Sequence, residues 1–303
     1  MTDIEKIKIY EEGGLENSGV IETCKSYSGI CDVYSPEEAK AMADELRKER
    51  KNSNRKVMIG VMTHPLTLNP ERGRGIPECD GVREVFPSIE AVSGGFIDDP
   101  DVLNTVHYAD LYGPNKGQDI FANLELVVKY GGENLHAIQI DVTWPNIEEL
   151  KAFKVKHQQL AIILQVGRFA LKEVDNDPQK VVERLREYGG SIDFVLLDTS
   201  MGKGVGIESE GLLPLLRLIK KELPGLGLAV AGGLGPDQHS MDELEPIAKE
   251  FPGISIDAQG RVKHADAPKD ALGHMISTIP ANLERSKEYI QKSCTMLDNP
   301  PKE

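Results

Sequence analysis

The sequence predicts an α/β fold, a single (β/α)8 TIM barrel with an irregular N-terminal segment and a long loop after an early strand. Three observations predict it. Short apolar runs alternate with longer amphipathic stretches along a chain of 303 residues. The apolar runs have the length and continuity of strands buried on both faces, as in parallel sheets. Strand–helix alternation implies right-handed crossovers between parallel strands, and the chain is long enough for one closed barrel of about 250 residues. A doubly wound open sheet is the structural alternative.

The elements follow in order. Residues 57–62 (Val-Met-Ile-Gly-Val-Met) form the first strong strand and 105–108 a weaker one. Runs at 137–140, 161–166, 194–197, 228–231 and 254–257 complete seven. An eighth strand precedes them, supplied either by Ile7-Lys8-Ile9-Tyr10 or by Ile30-Cys31-Asp32-Val33. Ser35-Pro36-Glu37-Glu38 opens a helix, with Ser as N-cap, Pro in the first turn and acids facing the positive helix end. Residues 146–153, 177–188 and 209–222 also read as helices. Residues 237–250 contain Pro246, which predicts a kinked or divided helix, and 268–289 read as two pieces around Pro280. Residues 64–100 are rich in Pro and Gly and follow a strand end, where barrel sites are built; they read equally as a lid or as a packed excursion. The barrel domain is expected over residues 1–292, and 293–303 as a frayed polar tail with adjacent prolines.

Charge narrows the partners. Thirty-five basic against 49 acidic residues leave a net charge of −14, which disfavours nucleic acid and anionic membrane surfaces. No apolar run reaches membrane-spanning length, and the N-terminus has no apolar signal core. Cys24, Cys31, Cys79 and Cys294 lack paired or zinc-type spacing, which reads as free thiols in a reducing cytoplasm. Neither a metal nor a cofactor is expected, and the oligomeric state is open. A phosphorylated small molecule stays compatible with an acidic chain, because backbone N–H groups can hold a phosphate.

The strand ends carry the chemistry. Ala231-Gly232-Gly233-Leu234-Gly235-Pro236-Asp237 joins a strand to a helix, and Ile256-Asp257-Ala258-Gln259-Gly260-Arg261 ends the last strand. Loops after the last two barrel strands frequently form a phosphate cup, so Gly232, Gly233, Gly260 and Arg261 are phosphate-binding candidates. Asp141, Asp198 and Asp257 end even-numbered strands, whose side chains share layers inside a barrel, and are candidate acid–base residues. Helix capping is the plainer alternative for Asp141 and Asp257. Lys203 in a Gly-rich loop, Arg168, Gln139 and His107 are candidate substrate-binding residues near strand ends. Trp144 is expected to pack beneath the next helix.

The motifs Leu196-Leu197-Asp198, Gly202-Lys203-Gly204, Gly232-Gly233-Leu234-Gly235-Pro236 and Ile256-Asp257-Ala258-Gln259-Gly260 resemble phosphoribosylanthranilate isomerase over residues 137–277. The resemblance implies Asp198 as general acid and Gly232, Gly233 and Gly260 as phosphate ligands. It also sets departures. The family's first strand carries a general-base Cys in Lys-x-Cys-Gly, whereas the nearest string here is Lys8-Ile9-Tyr10-Glu11. Gln139-Ile140-Asp141-Val142 stands for Gln-Leu-His-Gly, and Asp32 for an expected Arg. These imply a divergent isomerase-type enzyme for a phosphorylated sugar derivative, without the tryptophan-pathway activity. Another phosphosugar epimerase or lyase, or a non-catalytic ligand-binding barrel, are the alternatives.

Overall fold

The structure is a computed structural model that describes residues 26–50, 54–69, 85–110, 117–198, 209–269 and 276–298. Eight parallel strands close into a barrel in chain order. They are β1 (Tyr27–Cys31), β2 (Lys56–Thr63), β3 (Val102–Ala109), β4 (Ala137–Asp141), β5 (Ala161–Gly167), β6 (Phe194–Asp198), β7 (Gly227–Ala231) and β8 (Ser255–Ala258). Closure comes from β8 pairing with β1, Ser28 opposite Ile256 and Ile30 opposite Ala258. The open-sheet alternative is excluded. The described helices are α1 (Pro36–Glu49), α2 (Pro65–Leu68), α3 (Ile120–Gly131), α4 (Ile147–Lys156), α5 (Arg168–Glu173), α6 (Pro178–Tyr188), α7 (Ser209–Glu222), α8 (Gln238–Glu250) and α9 (Leu283–Asp298).

Local chemistry accounts for the helix starts. Ser35, Asn146, Asp177 and Asp237 each accept a backbone N–H of the following turn, which satisfies a donor that has no partner inside the helix. Ala39, Met42, Ala43 and Leu46 of α1 recur on one face and are buried. The helix expected to break at Pro246 runs through it as α8. Met241, Leu244, Ile247 and Ala248 are buried on either side and hold the turn that lacks one hydrogen bond. Of the stretch expected as two helices around Pro280, residues 270–275 lie outside the described residues; after that proline comes α9, which packs against α1. Ser293, Cys294 and Leu297 are buried in α9, so no frayed tail starts at 293.

The strand pleat divides the core in two. One cluster lies between barrel and helices, with Ile30, Val106, Ile140, Val195 and Leu197 among its residues. The other fills the barrel, with Tyr27, Met58, Leu103, Ile163, Phe194 and Leu196 among its members. Arg55 plugs the N-terminal end, fully buried, donating to the carbonyls of Tyr27 and Ile254 at 3.0 Å and of Pro252 at 3.2 Å. Trp144 packs beneath the following helices as expected, its ring stacked on Tyr188 and its Nε1 donating to the Ala170 carbonyl at 3.1 Å.

The start of the 64–100 excursion is tied down by His64. Its Nδ1 caps α2 by accepting the Leu66 N–H at 3.2 Å, and its ring lies against Phe86. Burial pushes the imidazole down to about 4, and Asp110 Oδ1, 4.0 Å from Nε2, does not offset it. A His depressed from 6.5 contributes stability that is complete above the unfolded value and is lost as pH falls through the folded one. We therefore expect about 3 kcal/mol of stability to disappear between about pH 7 and about pH 4 from this group alone. His64→Asn keeps a capping oxygen and cannot titrate. Urea unfolding across that range checks this: the variant should lose less stability than the wild type, and parallel curves would refute the assignment.

Candidate functional site at the barrel mouth

The C-terminal strand ends surround a pocket of about 440 Å³, counting its open mouth. It is lined by Cys31 of β1, His107 of β3, Gln139 of β4, Gln165 of β5, Asp198 of β6, the 231–234 turn and residues 257–261. The pleat explains the set. Phe194, Leu196 and Asp198 alternate with outward Val195 and Leu197, so an apolar floor lies beneath a polar rim.

The rim is a connected network. Gln139 Nε2 donates to Gln165 Oε1 at 2.9 Å and lies 3.4 Å from both Asp257 Oδ2 and His107 Nδ1. Gln165 Nε2 donates to Asp198 Oδ2 at 3.3 Å. The Cys31 thiol donates to Asp257, 3.6 Å from Oδ1 and 3.7 Å from Oδ2, and lies 3.9 Å from His107 Nδ1. Burial raises Asp257 to about 6, against the opposing pull of His107 and two hydrogen bonds, and burial also pushes the Cys31 thiol well up. His107 moves up despite its burial, because Asp141 Oδ2 stands 3.7 Å from Nε2 and Asp257 and Asp32 add negative charge. Two glycines make room for these groups. A Cβ at Gly29 would sit 2.7 Å from Asp257 Oδ1, and one at Gly60 would sit 2.8 Å from Cys31 Sγ.

Beside this network is the glycine turn that follows β7, the strand between those carrying Asp198 and Asp257. Gly232 and Gly233 have φ of 109° and 66°, a left-handed backbone that glycine adopts without Cβ strain. Among the described residues, the N–H groups of Gly232, Gly233 and Gly260 meet no acceptor. Arg261 lines the pocket, but its Nη1 already donates to Asp237 Oδ1 at 2.9 Å and to Ser240 Oγ at 3.3 Å. Beneath this side, Lys263 and Asp32 form an ion pair at 2.8 Å with both side chains fully buried, and Gln259 Nε2 donates to Asp32 at 2.9 Å.

The structure thus brings Asp198, Asp257, Gln139, His107, Gly232, Gly233, Gly260 and Arg261 to one pocket. Asp141 stands behind His107 rather than on the pocket wall. Arg168 does not join them. Helix α5 starts at this residue and turns it into solvent, its guanidinium over Phe169. Lys203 lies outside the described residues. Cys31 and Gln165 are pocket residues that the sequence reading missed. A first strand without cysteine is corrected outright: of the two segments considered, Ile7-Lys8-Ile9-Tyr10 lies outside the described residues, and β1 overlaps the other and ends in Cys31. The signal was Gly29-Ile30-Cys31, obscured because Tyr27-Ser28-Gly29 is not an apolar run.

No family model matches the chain, and no curated protein matches it. Among solved structures it is similar to triosephosphate isomerase from Bartonella henselae at 11% identity, TM-score 0.40, covering 78% of this chain and 92% of that one. It is also similar to the catalytic domain of a mannanase from Streptomyces sp. SirexAA-E at 13% identity and TM-score 0.48, covering 80% and 77%. A phosphonopyruvate hydrolase aligns at 13% identity and TM-score 0.43, covering 86% and 81%. None of the three reaches a TM-score of 0.5, and none bears on what this chain does. Among the described residues no helix is long and apolar enough to cross a membrane.

Proposed function

We propose that this chain is an isomerase-type enzyme that acts by acid–base catalysis on a small phosphorylated sugar derivative. The observation that carries the reading is one pocket that combines two kinds of group. Gly232, Gly233 and Gly260 line it with backbone N–H groups that meet no described acceptor, and the buried carboxyl of Asp198, at the end of the strand beside β7, lines it too. Backbone donors suit a phosphate because they carry no side-chain entropy cost and tolerate an acidic chain. Asp198 is held by Gln165 and is 7% exposed, so it can pass a proton without competition from bulk water.

The likeness to phosphoribosylanthranilate isomerase enters here in altered form. Cys31 removes the reason the sequence offered against that activity. A different reason takes its place: where that family has an arginine, Asp32 is buried in its pair with Lys263 and offers a substrate carboxylate no positive charge. The proposed substrate therefore carries a phosphate but no carboxylate in that position.

A thermal-shift series with phosphorylated aldoses and ketoses tests the reading, with their unphosphorylated forms as controls. Stabilisation should require the phosphate. Gly233→Ala places a Cβ on a backbone with φ of 66°, strains the turn and moves its N–H. It should weaken binding of the stabilising ligand by about 10-fold or more, a loss of about 1.4 kcal/mol. Equal shifts with and without phosphate, or undiminished binding by the variant, would count against the cup.

A further inference from the structure

We propose that Cys31, His107 and Asp257 form a binding site for a divalent cation of the zinc class, with a fourth position open to the pocket. The three residues come from β1, β3 and β8, and all are buried. Their ligand atoms lie within 4.8 Å of one another. Tetrahedral zinc with ordinary Zn–S, Zn–N and Zn–O bonds spaces neighbouring ligand atoms about 3.3–3.6 Å apart. Cys31 Sγ is already 3.6 Å from Asp257 Oδ1 and 3.9 Å from His107 Nδ1. Two edges of the tetrahedron therefore need movements of only a few tenths of an ångström.

The surroundings point the same way. His107 binds through Nδ1, and Asp141 Oδ2 stands 3.7 Å from Nε2, where a carboxylate orients a metal-bound imidazole. Gln139 Oε1 is buried without a hydrogen-bond partner, in a residue that lines the same pocket, and can accept from a water or hydroxyl bound there. Gly29 and Gly60 keep backbone, not side chain, against Asp257 and Cys31. Asp141 behind His107 and Asp257 within the cluster surround the position with carboxylate oxygens that favour a cation, and the Cys31 thiol proton leaves to solvent as the metal–sulfur bond forms.

This proposal departs from the metal-free expectation from sequence, which counted histidines and cysteine spacing and had no view of three strands meeting. It stands apart from the phosphate cup, because cation binding is measured without any phosphorylated ligand. An open metal position beside Asp198 would polarise a substrate carbonyl or hydroxyl.

The full-length protein, stripped with a chelator, is titrated with Co²⁺. We expect one equivalent to give the intense visible bands of tetrahedral cobalt together with a near-ultraviolet thiolate-to-cobalt band, and Zn²⁺ to displace it. Cys31→Ser should abolish the thiolate band and Cys294→Ser should keep it. Asp141→Asn should weaken affinity by about 10-fold or more. X-ray absorption of the zinc-loaded wild type needs no variant and should show one sulfur among nitrogen and oxygen ligands. No thiolate band at saturating cobalt, its survival in Cys31→Ser, or a sulfur-free zinc shell would overturn the site.

Discussion

Asp198→Asn is expected to lower turnover of the phosphorylated substrate by about 10²–10⁴-fold while leaving its binding nearly intact. The asparagine keeps the size and shape of the side chain at the end of β6 and can still meet the Gln165 amide. What it removes is the titrating proton. The assay follows deuterium uptake from heavy water into carbon-bound positions of phosphorylated aldoses and ketoses, because aldose–ketose interconversion moves a proton through the enzyme. Thermal shift on the same ligands reports binding. Wild-type exchange by the variant would remove Asp198 from the chemistry. Equal loss of exchange and of binding would make it a binding residue. A chain that binds phosphosugars but exchanges nothing in either form would be a ligand-binding barrel.

The second large effect is structural and lies under the site. Asp32→Asn is expected to destabilise the protein by about 3–5 kcal/mol, because it strands the Lys263 ammonium in the interior. Asp32 has φ of 68°, a left-handed backbone that asparagine tolerates, so the substitution isolates the charge from the conformation. Burial pushes the Asp32 carboxyl up, and the Lys263 charge and hydrogen bonds from Lys263 and Gln259 pull it back. Lys263 also donates to the Ile276 and Ile279 carbonyls at 2.8 and 2.6 Å, which ties the end of β8 to the segment ahead of α9. Urea unfolding measures the loss. The double variant Asp32→Asn, Lys263→Met removes both charges of the pair and should recover part of it. A single variant within about 0.5 kcal/mol of wild type would show that the pair is not needed for stability.

Much of this molecule was legible from one-dimensional pattern. Strands β2 to β8 were read from apolar runs, because parallel strands are buried on both faces and leave no polar alternation to confuse them. The start of α1 was read from Ser35, where a side-chain oxygen next to Pro meets a need that every helix end has, and Asp177 caps α6 in the same way. Asp198 and Asp257 were expected at the pocket as the ends of even-numbered strands, whose side chains share layers inside a barrel, and Gln139 and His107 as residues near strand ends. Arg168 was expected there for its place just past a strand end, but α5 begins at this residue without a loop and turns it away.

The sequence by itself determined the repeating βα order, the glycine turns and the acidic strand ends, since each depends on residues within a few positions of one another. Only the tertiary structure decided which segment is β1, because that rests on hydrogen bonding to β8 across the closing seam. With β1 placed, Cys31 met His107, 76 residues away, and Asp257, 226 residues away. No local pattern encodes that meeting. It is set by the closure of eight strands, which brings the first and last together, and by two glycines on β1 and β2 whose missing side chains leave the space.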